Sequence, residues 1–375
     1  MLGPYTALKD GRIKYKGNKV FDPIQDVTRG AYTIEEAERR ISDIHEQGYW
    51  QAISVINNQI YISCIEYFSN LGALYTQLPL TTRMISSPGA VYGKEAIDYT
   101  SDTLPVTLDW FDLSTFLAES AQIYLELTLI QRDINHVYSI YNSFRKEETD
   151  ATHLSEFHHI EYEGVVNQEE NKQIIMDLCF KIVNDLVKFT SEELGVFLDE
   201  KKIKKLEEFS VKKQVYDIDL VEALETLYRD TGDEKYREFT TEYFGSWEEV
   251  RLTEIYGGMV AVNKYPLLEV PFYHEHIKGS HPPVANCADY LWPGYIETIG
   301  SGQRIKNISE LEEKAEIFNL PREDYECYLQ SRRLESYRAT SGFGMGWERL
   351  LQGILETPYI WSAVHFPRSH ITMTP

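Results

Sequence analysis

Cysteine is scarce in this chain of 375 residues. The four present, Cys64, Cys179, Cys287 and Cys327, lie far apart and form no C-x-x-C pair. That argues against a disulfide scaffold or a zinc ribbon and fits a reduced, cytoplasmic protein. No stretch approaches eighteen continuous apolar residues, and the first residues lack a basic region followed by an apolar run. Neither a membrane span nor a secretion signal is expected. Positive charge is also short: 37 Lys and Arg stand against 59 Asp and Glu, a formal net charge of −22. Dense Lys and Arg are what phosphate-backbone binding requires, so nucleic acid is not the expected main partner. The single basic run, Lys201-Lys202-Ile203-Lys204-Lys205, lies in a Glu-rich helical context and reads as a solvated helix face.

What the chain does have is glycine in one telling arrangement. Ser341-Gly342-Phe343-Gly344-Met345-Gly346 places three glycines at alternate positions. In a strand they share one face, which another molecule can then approach closely. A helix pattern follows at once, with Leu350, Leu351, Ile354 and Leu355 apolar, and Glu348-Arg349 sits at the junction. A flat platform beside a fixed arginine suits a planar base and a phosphate tail. Upstream, Val137 to Ile140 reads as a strand leading to Phe144-Arg145-Lys146-Glu147. After a polar loop, His153-Leu154-Ser155-Glu156-Phe157 opens a returning strand to Glu163. An arginine at the strand end can fork onto an α-phosphate, Glu147 can accept from an adenine amino group, and Phe157 can stack on a purine. Asp289 and Glu297 are an even number of residues apart in a strand context. Both can therefore face one side and offer oxygen ligands to Mg²⁺ bridging ATP phosphates.

These stretches closely resemble the class II aminoacyl-tRNA synthetases, in the asparaginyl/aspartyl branch. G-F-G-x-G-x-E-R-L followed by Phe366-Pro367-Arg368 resembles motif 3, and F-R-x-E with H-L-x-E-F resembles motif 2. A long helix from Trp50 to Leu71, Gly72, a strand over Ala73 to Leu78 and Pro79 resemble motif 1, which builds the family's dimer interface. Asp289 to Arg304 resembles the asparaginyl D-x-L-x-P-G-x-x-E-I-I-G-G-S-Q-R. Ser120 to Glu126 resembles its S-G-Q-L-x-x-E segment.

The resemblance implies an α+β fold: a mostly antiparallel sheet flanked by helices, with a helical insertion over 167–250 inside a catalytic domain of residues 33–375. Residues 1–32 are left as an irregular arm or small hairpin. It implies ATP and Mg²⁺ as cofactors and a homodimer. Arg145 would hold the α-phosphate and the substrate carboxylate, and Arg349 would act beside it. Glu147 would read adenine, sandwiched between Phe157 and Arg349, with His153 also on the nucleotide. Asp289 and Glu297 would hold the metal. Gln122 and Glu161 would hold an α-amino group, and Arg304 with Glu126 the far end of the substrate. Three histidines, His274, His276 and His281, read as an exposed loop rather than a metal site; one lies where a proton carrier would be useful.

Departures from the family set the functional expectation. Too few residues precede motif 1 for the family's anticodon-binding barrel. The motif 2 loop is one residue short, with Thr152 in place of an arginine. Ile360-Trp361-Ser362 replaces the I-R-D after motif 3, and Leu125 stands where the aspartyl branch has a lysine. The expected activity is an AMP-forming ligase that adenylates an aspartate- or asparagine-like amino acid or peptide carboxylate. It passes the acyl group to ammonia or an amine, without tRNA. The alternatives are a truncated asparaginyl-tRNA ligase, a peptide- or natural-product-tailoring adenylating enzyme, and a non-catalytic amino-acid or nucleotide sensor.

Overall fold

The computed structural model describes residues 32–92 and 104–374, and ahead of them the backbone of three short strands. Those strands, β1 (Tyr5–Ala7), β2 (Ile13–Tyr15) and β3 (Asn18–Phe21), form an antiparallel sheet of their own within the expected arm. Helix α1 (Ile34–Glu46) starts as its sequence dictates: the Thr33 hydroxyl accepts from Glu36 N–H, and the Glu36 carboxylate accepts from Thr33 N–H at 2.9 Å. That reciprocal box satisfies two donors that helix geometry leaves unpaired. Helix α2 (Gly48–Leu71) stops at Gly72, whose φ of 76° is a left-handed cap that glycine adopts without steric penalty.

The strand expected over Ala73 to Leu78 shrinks to β4 (Leu74–Tyr75), because it pairs only with the first residues of its neighbour. Between 80 and 117 the chain builds a separate small sheet of β5 (Thr81–Thr82), β6 (Thr107–Trp110) and β7 (Leu113–Leu117). Pro88-Gly89, a dipeptide that marks turns, opens one helical turn, α3 (Gly89–Tyr92). The turn expected at Ser101-Asp102 lies outside the described residues. Helix α4 (Gln122–Thr128) then leads to the long hairpin of β8 (His136–Phe144) and β9 (Glu156–Gly164).

Residues 167–250 are mostly helical: α5 (Gln168–Phe189), α6 (Ser191–Leu194), α7 (Glu200–Lys212), α8 (Leu220–Thr231) and α9 (Ser246–Tyr256). They also hold β10 (Val215–Asp219), which pairs in parallel with β11 (Met259–Asn263) and extends the main sheet. Tyr265 to Pro271 reads as strand-like but forms none. Pro266 and Pro271 cannot donate to a ladder, and only an isolated bridge from Pro266 to Val284 forms. The sheet is completed by β12 (Cys287–Leu291), β13 (Glu297–Gln303) and β14 (Ser341–Gly346), with α10 (Ile308–Ile317), α11 (Arg322–Ser331) and α12 (Trp347–Leu355) around it.

Its eight strands run β10-β11-β12-β13-β14-β9-β8-β4, antiparallel except for the two outermost pairs. Register decides what each face carries, since side chains alternate along a strand and directly paired residues share a side. One row across the sheet is Ala288, Ser301, Phe343, Tyr162 and Tyr138. On that face Phe343 and Tyr162 are fully buried, and Phe68 of α2 stacks on Tyr138 at 4.3 Å. Helices α2, α5 and α12 cover it, and Asn171 of α5 donates to the Gly342 carbonyl at 3.1 Å. The neighbouring row, on the opposite face, is Asp289, Gly300, Gly344, Glu161 and Ser139. The sheet therefore presents an apolar side to its helices and a bare glycine floor flanked by carboxylates on the other.

Candidate active site

The alternate glycines of β14 form that floor. A Cβ at Gly342 would come within 1.9 Å of the Glu163 carboxylate, whereas one at Gly344 meets nothing closer than 3.5 Å. Gly342 is thus needed for packing, and Gly344 keeps the floor open. Two cavities lie on it. The first is lined by Arg145, Glu147, His153, Phe157, Glu297 and Arg349, so the groups expected around a nucleotide converge. The second, about 390 Å³, is lined by Gln122, Glu161 and Asp289 among others. Arg145, His159, Glu297 and Gly344 border both.

Arg145 follows the end of β8, where the backbone of the hairpin holds it: its N–H donates to Ser155 O at 3.0 Å. Its guanidinium carbon lies 5.3 Å from the Phe157 ring centroid, and its buried Nε has no hydrogen-bond partner. Arg349, in the first turn of α12, donates from Nη1 to the Glu297 carbonyl at 2.9 Å and lies 3.7 Å from the Glu297 carboxylate. His153 pairs through Nδ1 with Asp150 at 2.8 Å. Burial raises the Asp150 carboxyl, but His153 and the Thr152 N–H and hydroxyl outweigh it and hold it down at about 2. Thr152 thus ties the loop to itself.

Asp289 and Glu297 meet for a different reason than their even spacing. They sit on neighbouring antiparallel strands, brought together by the hairpin between them. An added Cβ at Gly300 would lie 2.9 Å from Glu297 Oε1 and 3.4 Å from Asp289 Oδ1, so both carboxylates converge over that glycine. Glu249 of α9 joins them, accepting from Glu297 N–H at 2.9 Å. Burial, then the Glu297 charge, pushes Glu249 up to about 7, and burial with the same neighbour drives Asp289 well above its usual range. Crowded, desolvated carboxylates of this kind suit a hard divalent cation. Among the described residues no set of three or more such side chains is already closed into a metal-ligand cluster.

On the far side of Gly344 is Glu161, which is 1% exposed. It accepts from the Ser120 hydroxyl at 2.6 Å and from Ala121 N–H at 3.3 Å. Burial pushes it up to about 7 against those bonds and the Arg304 charge. Gln122, at the first turn of α4, is buried, and its Nε2 has no partner.

Glu126 and Arg304 are not on either cavity wall. Glu126 is 2% exposed and engaged by Tyr328 at 2.5 Å, Tyr337 at 2.9 Å and Arg332 at 2.5 Å. Arg304 is 1% exposed and doubly bonded to Glu163, at 2.7 Å and 3.0 Å. These four charges form a neutral buried network behind the pocket. Sequence reasoning missed Glu163 and Arg332, along with Glu119 and Glu249 on the wall. Arg332 in a charged helix looks like any solvated side chain, and nothing local marks it otherwise. His274 corrects the exposed-loop expectation: its ring is buried over Gly302, while His276 is half-buried and only His281 is exposed.

The profile of the class II tRNA synthetases (D, K and N) matches residues 35–370, and the chain belongs to that family of ATP-dependent ligases. It is similar to the asparagine–tRNA ligase of Lactobacillus delbrueckii subsp. bulgaricus, 28% identical over 330 residues, covering 86% of this chain and 70% of that protein. The Chloroflexus aurantiacus asparagine–tRNA ligase is 32% identical over 273 residues, covering 71% of this chain and 60% of its own. The structure of Pyrococcus horikoshii asparaginyl-tRNA synthetase complexed with asparaginyl-adenylate superposes with a TM-score of 0.78 at 27% identity, over 92% of this chain and 74% of that one. The expected sheet-and-helix core is therefore borne out. No helix among the described residues is long and apolar enough to cross a membrane.

Proposed function

We propose that the protein adenylates the carboxylate of an aspartate- or asparagine-like amino acid or peptide, and passes the acyl group to ammonia or an amine without tRNA. One observation carries the reading: Arg145, with an unpartnered buried Nε, borders both a slot lined by Glu147, Phe157 and Arg349 and a separate polar cavity on the same glycine floor. A single arginine can then hold an α-phosphate and the attacking carboxylate together, which is the main thing such a transfer needs. Glu147, His153, Phe157 and Arg349 bind the nucleotide, with the purine between Phe157 and Arg349. Gln122 and Glu161 hold the α-amino group. Asp289 and Glu297, with Glu249 behind, would hold Mg²⁺, which would supply positive charge to neutralise the phosphates. The acidic balance of −22 and the self-tied Thr152 loop support doing without tRNA. The exposed Tyr61, Leu74 and Tyr75 support a homodimer through α2 and β4.

A second reading is favoured by the relatives: aminoacylation of tRNA, since asparagine–tRNA ligases match most of this chain. Acid-dependent exchange of labelled pyrophosphate into ATP, followed by addition of ammonia, amines or tRNA in turn, separates the two. Product formed with tRNA alone would overturn the tRNA-free reading; no exchange with any amino acid or peptide would overturn adenylation itself.

Two further outcomes are expected. Arg349→Ala removes one face of the purine site, and exchange should fall about 10²-fold with the thermal transition unchanged. Full activity in that variant would count against the slot. Glu161, raised to about 7, must be ionised to hold an ammonium. The carboxyl is charged above that value, so apparent KM for the amino substrate should rise about tenfold from pH 8 to pH 6. Glu161→Gln should flatten that dependence, with the KM for ATP unmoved. A profile identical in the two proteins would remove Glu161 from the site. For stability the sign follows from the same direction: Glu161 and Glu249 bind protons more tightly folded than unfolded, so each lowers stability as pH rises from 4.5 through about 7.

A further inference from the structure

Strand β9 carries Phe157, His159 and Glu161 at alternate positions, so all three share the glycine-floor side, with His159 paired to Gly346 and Glu161 to Gly344. In the reading above, Phe157 lies against the purine and Glu161 holds the α-amino group. His159 stands midway, about 7 Å along the strand from each. That is where the carbonyl joined to the phosphate must lie. His159 borders both cavities, as Arg145 and Gly344 do.

The ring is held in place on three sides. It stands edge-on to Phe157, with centroids 4.9 Å apart and planes at 89°. Its Nδ1 lies 2.8 Å from the Ser143 hydroxyl and 3.4 Å from Glu161 Oε1. An ionised carboxylate can only accept, so it favours the tautomer with the proton on Nδ1. The lone pair is then on Nε2. That nitrogen bonds to none of the described residues and is not sealed in by them. Burial, then the charges of Arg145 and Arg349, hold the ring well below the usual histidine range, so it is neutral.

Acyl transfer to an amine calls for such a group. The nitrogen lone pair forms the C–N bond, the C–O bond to phosphate breaks, and AMP leaves with that electron pair. The new nitrogen keeps a positive charge until a proton departs. Other bases on the wall are engaged elsewhere. Glu119 accepts from Ser86 and Ser87 N–H, Glu269 from the Thr241 hydroxyl, and His274 faces Arg304.

Resting on the amine-transfer reading above, we propose that His159 is the general base of the acyl-transfer step, taking the proton of the attacking nitrogen on Nε2 and passing it to solvent. The test is the ratio of acyl transfer from enzyme-bound adenylate to pyrophosphate exchange, measured with ammonia and with hydroxylamine. Exchange moves no proton from nitrogen, and the hydroxylamine adduct is acidic enough to lose its proton to water. In His159→Gln the ratio should fall about 10²-fold with ammonia and far less with hydroxylamine. Ser143→Ala frees the ring without removing it. It should give a smaller fall with the same dependence on nucleophile, and it carries the test if His159→Gln does not fold. An unmoved ratio overturns the proposal, as do equal falls with the two nucleophiles, which would leave the ring a packing role alone. Wild-type protein that exchanges but transfers to neither nucleophile ends amine transfer and this assignment together; wild-type transfer with an unmoved variant ratio sinks only His159.

Discussion

Replacing Arg145 with alanine is expected to lower acid-dependent pyrophosphate exchange by about 10³-fold while the thermal transition stays where it is. The size follows from geometry. Arg145 is the cation shared by the two cavities, where the proposed function has phosphate and carboxylate meet. Removing a preorganised donor from a transition state in which charge builds up typically costs 10²–10³-fold, and here the same side chain also positions the second reactant. The fold should not notice. Arg145 is only partly buried, and its Nε makes no bond whose loss must be compensated. Stopped or quench-flow measurement of exchange, with melting recorded in parallel, separates the two effects. An active Arg145→Ala protein would mean that the reactants meet elsewhere.

The second large effect is on stability. Arg304 and Glu163 are 1% and 0% exposed, and Glu163 also accepts from Thr340 at 2.7 Å. Glu163→Ala leaves a guanidinium buried without its counter-charge and opens space beside Gly342. Breaking a buried pair from one side costs about 3–5 kcal/mol. The loss should appear as a lower denaturant midpoint with little change in slope. Removing both charges together, as Glu163→Leu with Arg304→Met, should cost much less, because no orphan charge remains. A single variant as stable as the double would mean that water or a neighbour rescues the guanidinium.

Much of this was legible in the sequence because it is written in local pattern. Alternate glycines in β14, with Phe343 and Met345 between them, already specify a strand with one bare face and one packed face. The Thr33–Glu36 box and Gly72 marked helix ends by chemistry that acts within four residues. The nucleotide-side residues came with short motifs, and the hairpin brings them to one slot. What stayed hidden depends on register and on contacts across the chain. Asp289 and Glu297 were paired by counting along one strand, yet they meet across two. Val215 to Asp219 looked helical because its neighbours are, but a place at the sheet edge decides its state. Glu126 and Arg304 are polar in a motif, and no local signal says that Tyr328, Tyr337, Arg332 and Glu163 satisfy them. His274 among two other histidines looked like an exposed loop. Only the space left by Gly302, twenty-eight residues on, lets the ring be buried.

The central claim is that one glycine floor holds a nucleotide at one end and the acid it activates at the other, with Arg145 between them. A crystal structure of the protein with a non-hydrolysable ATP analogue and Mg²⁺ tests it most directly. The expected result is a purine between the Phe157 ring and the Arg349 guanidinium, with the α-phosphate against Arg145. A purine bound anywhere else on the protein would contradict it.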